Sequence, residues 1–269
     1  MILTSKHNGQ IITDIDVPVS LRGCSNVQIR GGRFYNEYSG GIYIDRFTNN
    51  CVIEGVDIQA DKFGIYLESS SHHNEIRNCY IHDCGKWANR KSEIPEWLRK
   101  LGLDKVRSFG IAQREGIAID DSQDNVIADN TFERCALAGI TLYRNCNEFY
   151  GWEGYEDTFE RGEGANRNFI SHNTFKDMKV GIWNRSRQYR DLKSWECGRA
   201  TKKEWLWNLP KMPYQQFIDW TAFLHIPYAK KFYSPVSLRV TLAEDAAEDN
   251  VFSGNTFNHV RHPLIDGSL

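Results

Sequence analysis

The chain has 269 residues, a formal net charge of −2 and a hydrophobic share of 41%. A near-neutral charge argues against a nonspecific nucleic-acid binder, and no run of about 20 apolar residues offers a membrane span. The N-terminal MILTSKHNGQIITDIDV carries no apolar leader segment, which leaves two compartments open: the cytoplasm, or export of a chain whose leader has been removed. Nothing in the sequence fixes an oligomeric state.

In chain order, a short apolar pair with an Asn or Gly step between recurs six times: Ile29 and Phe34, Ile53 and Ile58, Ile76 and Ile81, Ile127 and Phe132, Ile170 and Phe175, Phe252 and Phe257. Four of these units are nearly the same text, NEIRNCYI from Asn74, NVIADNTF from Asn125, NFISHNTF from Asn168 and NVFSGNTF from Asn250. A second phrase follows most of them: GIYI from Gly41, GIYL from Gly64, GIAI from Gly116, GITL from Gly139 and GIWN from Gly181. A two-strand phrase repeated down a chain is the signature of a solenoid. Ile29 to Ile53 spans 24 residues and Ile53 to Ile76 spans 23. That length suits one turn of a parallel β-helix with three short strands and three turns.

Side chains alternate along each strand, so the two aliphatic residues of G-I-x-I face the core and x faces outward. The Asn and Gly residues are expected where the chain bends, because Asn tolerates a left-handed backbone and its amide can bond along a stack of like residues. Two ladders are predicted: Asn74, Asn125, Asn168 and Asn250, and Asn130, Asn173 and Asn255. Seven cysteines are present and none forms C-x-x-C, which argues against a zinc site. Cys84, Cys135 and Met178 each lie eight residues after the first apolar residue of their unit and should stack as a sulfur column in the core. A Cys84–Cys135 disulfide is geometrically possible but not implied.

One domain, residues 1–269, is expected: about seven coils, interrupted by insertions at about 86–112, 148–165 and 188–248. The first reads as a short helix, with Ser92 as N-cap, Pro95 in the first turn and Gly102 at its end. The second is glycine-rich, acidic and aromatic. The third carries Trp195, Trp205, Trp207, Tyr214, Phe217, Trp220, Phe223, Tyr228, Phe232 and Tyr233, either as a satellite core or as a wall of rings for sugar faces. Such insertions can rise around one face of a solenoid and turn it into a groove.

The repeat phrases resemble those of the right-handed parallel β-helix proteins of the pectate-lyase-like superfamily, nearest to the branch with NosD-type repeats that includes mannuronan epimerases. The resemblance covers about residues 11–84, 110–147, 166–187 and 249–265. It implies an all-β, single-stranded right-handed parallel β-helix and an activity on polysaccharide. In the polygalacturonases of this fold class, catalytic acids lie just before equivalent strands. Here Glu115, preceded by Arg114, holds that place before Gly116, while the family's paired Asp and His-Gly element are missing. The epimerase signature Asp-Pro-His is also missing, since His262-Pro263 lacks the preceding Asp.

The repeats also serve as a ruler. Counting from the glycine of each G-I-x-I, position two gives Tyr43, Tyr66, Ala118, Thr141 and Trp183. Position four gives Asp45, Glu68, Asp120, Tyr143 and Arg185. Rungs lie about 4.8 Å apart, so three carboxylates are stacked above Tyr143 and Arg185. Like charges on neighbouring strands are destabilising. Three explanations stand: a Ca²⁺ ion held by Asp45, Glu68 and Asp120, a catalytic use of the carboxyls, or pairing with Arg46 and other bases and with water.

Two reactions fit the residues. β-Elimination or epimerisation on a uronic-acid polymer needs a cation beside the substrate carboxylate and a base near the ring carbon. Arg185, Arg144, Arg114 or Ca²⁺ could supply the first, and Tyr143, His82 or His225 the second. Glycoside hydrolysis needs two carboxyls, which Glu68 and Asp120 on neighbouring rungs could provide, with Glu115 as an alternative acid. Glu115 and Asp120 lie roughly 16 Å apart along one strand, too far for that pair. Tyr43, Tyr66 and Trp183 are the expected stacking contacts to substrate. A non-catalytic sugar-binding or spike-like β-helix is the third reading, and it predicts aromatics without converging acid, base and cation.

Overall fold

The computed structural model describes residues 1–37, 39–68, 70–85, 113–144, 164–186 and 247–267, together with the backbone of three further strands, Arg190–Asp191, Lys202–Trp207 and Leu238–Ala243. Eighteen strands join in one continuous parallel ladder, and the three further strands form a separate antiparallel sheet. Among the described residues there is no α-helix, only a 3₁₀ turn at Ser5–His7, and no helix long and apolar enough to cross a membrane. The expected helix at 92–102 and most of the three insertions lie outside the described residues.

Each coil contributes a strand to three faces. On the first, Ile12, Ile29, Ile53, Ile76, Ile127, Ile170 and Phe252 stand in register, seven rungs deep. On the second, Phe34, Ile58, Ile81, Phe132, Phe175 and Phe257 do the same. The third carries Val19, Ile42, Ile65, Ile117, Ile140 and Ile182. All the middle rungs of these columns are wholly buried. Each such side chain contributes about 1.5–3 kcal/mol by leaving water. The Phe132, Phe175 and Phe257 rings stack with centroids 4.9 and 5.1 Å apart.

The polar corners follow a stricter rule than expected. Both asparagine ladders form: Asn74, Asn125, Asn168 and Asn250 are linked amide to amide at 3.0–3.2 Å, and Asn130, Asn173 and Asn255 at 3.0–3.1 Å. Each amide oxygen also accepts from the backbone N–H of the preceding coil's Asn. The ladder residues, however, are not left-handed. The residue before each one is: Asn50, His73, Asp124, Arg167 and Asp249 have φ between 52° and 56° at one corner, and Asn78, Asp129 and His172 between 53° and 56° at the next. Cys51 and Cys79 occupy the ladder position in earlier coils, where their N–H groups donate to the amide oxygens of Asn74 and Asn130. The preceding residue therefore supplies the bend, and the ladder side chain turns inward.

The glycine that opens each G-I-x-I has a different reason from the one expected. Its φ is not left-handed, but a Cβ at Gly64 would lie 2.6 Å from the Gly116 carbonyl oxygen, and one at Gly116 would lie 2.7 Å from that of Gly139. Glycine is there for close approach between coils. Cys84 and Cys135 are free buried thiols, with Met178 on the next rung. A sulfur contact with Cys135 and burial push the Cys84 thiol well above its ordinary pKa, so the column is inert packing.

Candidate functional site

The third-face strands Ile42–Ile44, Ile65–Leu67, Ile117–Asp120 and Ile140–Tyr143 and the end of Thr174–Asn184 place Tyr43, Tyr66, Ala118, Thr141 and Trp183 in one outward column. Asp120 pairs directly with Tyr143 in the column beside it. Backbone bonds from Glu68 to Ile44 and from Asp45 to Leu21 continue that second column through earlier coils. Outward does not mean wet. Asp120 is 0% exposed, Tyr143 1% and Glu115 2%. Tyr66, Ala118 and Tyr143 form an apolar cluster separate from the main core, with Tyr43 and Phe63 packed against it.

Two of the stacked carboxylates, Glu68 and Asp120, are each held by a phenol. Tyr43 donates its hydroxyl to Glu68 Oε2, and Tyr66 donates to Asp120 Oδ2 at 2.5 Å. The two rings stack at 5.3 Å with planes 14° apart, and Phe63 leans on both at 5.1 and 6.2 Å. Burial, then the charge of Asp120, raises the Tyr66 phenol well above its ordinary pKa; burial, then Glu68, does the same to Tyr43. Neither phenol is therefore a ready base.

Arg114 closes the cluster. Its guanidinium lies 5.7 Å from the Phe63 ring centroid and 5.9 Å from that of Tyr66, and its Nη2 is 2.9 Å from Glu115 Oε1. Burial opposes its charge, but Glu115, with Tyr143, Tyr66 and Asp120, outweighs that and holds its pKa above the usual arginine value. Arg114, Glu115, Tyr66, Asp120 and Tyr143 thus act on one another electrostatically.

Other predicted residues sit apart from this group. Asp45 pairs with Arg22 at 3.7 Å and Arg46 at 3.8 Å. Trp183 donates its Nε1 to the Gly267 carbonyl at 2.9 Å. Arg185 has a left-handed backbone, with φ 59°, which aims it at Asp266 (3.6 Å) in a depression of about 450 Å³ on the last coils, lined also by Asn184, Asp249 and Asn250. Arg144 follows Tyr143 at the strand end and is half-buried. His82, one of the expected bases, lies on the second face. Its ring nitrogens contact Asp57 Oδ1 at 3.0 Å and Asp83 Oδ2 at 2.8 Å, and Tyr80 stacks on it at 4.3 Å. It cannot serve the third-face cluster. His225 lies outside the described residues. Among the described residues, no three His, Cys, Asp or Glu side chains gather so as to hold a metal ion.

Asp121 parts company with its neighbour: it is left-handed, with φ 50°, and accepts from the Gly164 N–H, securing the point where the chain re-enters the solenoid. Phe63 is the site residue that the sequence reading missed. It precedes Gly64 as Glu115 precedes Gly116, and the Gly64 N–H bonds to the Glu115 carbonyl, so the two are rung neighbours. A Cβ at Gly40 would lie 2.1 Å from the Phe63 ring, which explains the glycine there.

The chain belongs to the right-handed β-helix family, whose profile for the right-handed β-helix region matches residues 19–193. No curated protein matches it in sequence. Among solved structures it is similar to the enzymatically active domain of bacteriophage CBA120 tailspike protein 2, with 12% identity and a TM-score of 0.28. That similarity covers 61% of this chain and 24% of the tailspike chain, so the chain spans about a quarter of that structure's length.

Proposed function

We propose that the chain acts on an acidic, uronic-acid-containing polysaccharide by proton transfer, through β-elimination or epimerisation, at the third-face cluster. One observation carries the reading: carboxylates, phenols and a guanidinium converge, almost dry, on the outward side of the solenoid, apart from its main apolar core. Burying such groups costs free energy, which points to use. The likeness of the repeats to pectate-lyase-like proteins supports a polysaccharide as substrate.

In this reading Arg114 and Arg144 face the substrate carboxylate. Asp120, Glu68 and Glu115 accept or return the proton, and Tyr143, paired with Asp120, is the second proton carrier. Tyr43 and Tyr66 hold the carboxylates in place, and Trp183 and Arg185 form the rim toward the last coils. Calcium on Asp45, Glu68 and Asp120 is a separate proposal: the three carboxylates do not gather round one point, so an ion would have to draw Asp45 from Arg22 and Arg46, and chelation tests it. Asp120 and Tyr143 have almost no accessible surface, so turnover requires this face to open.

A second reading, glycoside hydrolysis, draws on the neighbouring rungs of Glu68 and Asp120, each of which carries a tyrosine hydroxyl. A panel of uronic-acid and neutral polysaccharides separates the two. Ultraviolet-absorbing unsaturated ends report elimination, altered sugar configuration by NMR reports epimerisation, and new reducing ends alone report hydrolysis. Asp120→Asn and Tyr143→Phe should each lower turnover by about 10²-fold or more. Full activity in both variants would remove the cluster from the mechanism, and no change in any polymer would leave a binding module.

A further inference from the structure

The corner between the third and first faces carries a pair that the third-face cluster does not use. His72 and His73 bring Nδ1 to Nδ1 at 2.8 Å, with ring centroids 5.0 Å apart and planes at 86°. Neighbours in an extended chain point to opposite sides. Here His73 is left-handed, with φ 55°, and that turn brings both rings to one side. Among the described residues the two rings hydrogen-bond only to each other, and His73 is exposed. The preceding coil turns the same corner with amides: Asn49 and His72 are bridge partners, and Asn50 Nδ2 donates to Asn49 Oδ1, also at 2.8 Å. Either pair meets the bend. Imidazole adds what an amide lacks, a nitrogen lone pair that binds transition metals.

The separation selects the metal. Metal–imidazole bonds run to about 2.0–2.1 Å, so two of them at a right angle hold their nitrogens about 2.9 Å apart, and two at the tetrahedral angle about 3.4 Å. The observed 2.8 Å suits the right-angled pair of tetragonal Cu²⁺ or Ni²⁺. The ring torsion of histidine is broad, so a modest rotation of each ring aims both lone pairs at one ion. One ring donates in the present contact and the other accepts. On metal binding the donating ring shifts its proton by way of water from Nδ1 to Nε2, and both rings stay neutral. Asp124 lies on the next rung but is held by Arg167 in two bonds of 2.9 Å, so it is not a ligand. We propose that His72 and His73 form a two-nitrogen chelate for Cu²⁺ or Ni²⁺, with water in the remaining positions. Among the described residues no third His, Cys, Asp or Glu side chain joins them. The proposal is independent of the carbohydrate reading.

The test titrates the whole chain with Cu²⁺, Ni²⁺ and Zn²⁺ by calorimetry, in a buffer that does not bind metals. The tightest step should take one Cu²⁺ or Ni²⁺ per chain, and the Cu²⁺ form should show electron-spin coupling to two nitrogen nuclei. His72→Asn and His73→Asn copy the residues of the preceding coil, Asn49 and Asn50, and so keep the corner. Each should weaken the tightest step at least about tenfold. His259→Ala, at another corner, should leave it unchanged. Thermal unfolding at the wild-type temperature shows that each variant is folded. An unchanged tightest step in both Asn variants, or coupling to a single nitrogen, overturns the chelate. Tighter binding of Zn²⁺ than of Cu²⁺ overturns its right-angled geometry, and no saturable step in the wild type overturns the site.

Discussion

Ile117 and Ile119 point into the solenoid, while Ala118 and Asp120, on the same strand, point out, and all four have lost contact with water. On the inside, dryness comes from apolar side chains stacked rung on rung, where any neighbour of similar volume would serve. On the outside, it comes from specific polar pairs, Tyr66 with Asp120, Tyr43 with Glu68 and Arg114 with Glu115. The inner column is tolerant in chemistry and strict in volume. The outer one is strict in chemistry, because removing one partner leaves a buried group unsatisfied.

Perturbing the two sides separately tests the contrast. Phe132→Ala should cost about 3–5 kcal/mol in chemical denaturation, as a cavity opens beneath the Phe175 ring. A loss below about 1 kcal/mol would mean that the inner column is not the main support. Asn125→Ala should cost about 2–4 kcal/mol, because it strips the acceptor from the Asn74 backbone N–H and amide together. Isosteric Asn125→Asp tests whether the donor half of the amide matters as much.

On the outer side, Tyr66→Phe should cost about 1–2 kcal/mol near neutral pH, since it removes a hydroxyl donor from the buried Asp120 carboxylate. It also carries a pH signature. The folded-state pKa values of Tyr43 and Tyr66 are raised, so the native state keeps protons that the unfolded chain sheds above about pH 10. Their contribution is full below that pH and is lost as pH rises beyond it. The Tyr43→Phe/Tyr66→Phe double variant should therefore lose stability less steeply on the alkaline side, and an unchanged slope would refute the burial of these phenols. The smallest effect belongs to the exposed corner pair: Arg167→Ala, which breaks the contacts to Asp124 at 2.9 Å, should change stability by about 0–1 kcal/mol.

The apolar pairs and the asparagine ladders were legible residue by residue, because coil periodicity repeats the same environment and hence the same residue type. The left-handed Asn78 and its equivalents were harder to place: a left-handed residue and an inward side chain sit side by side, and the text N-x or D-N does not say which does which. The column of Asp45, Glu68, Asp120, Tyr143 and Arg185 followed from counting, but its partition did not. Arg185 leaves the group through a positive φ, Asp45 is taken by two arginines, and Phe63 enters from a position that carries no repeated letter. The insertions, being non-repetitive, offered no ruler.

The sequence by itself determined a parallel solenoid, its three-strand coil and the inward columns, since those follow from alternation and period alone. Only the tertiary structure decided that the outward third face is dry, which phenol meets which carboxylate, and that His82 stands on another face. Those facts depend on side-chain direction and on segments distant in the chain, such as Arg114 reaching Phe63 across neighbouring coils, and no local pattern encodes them.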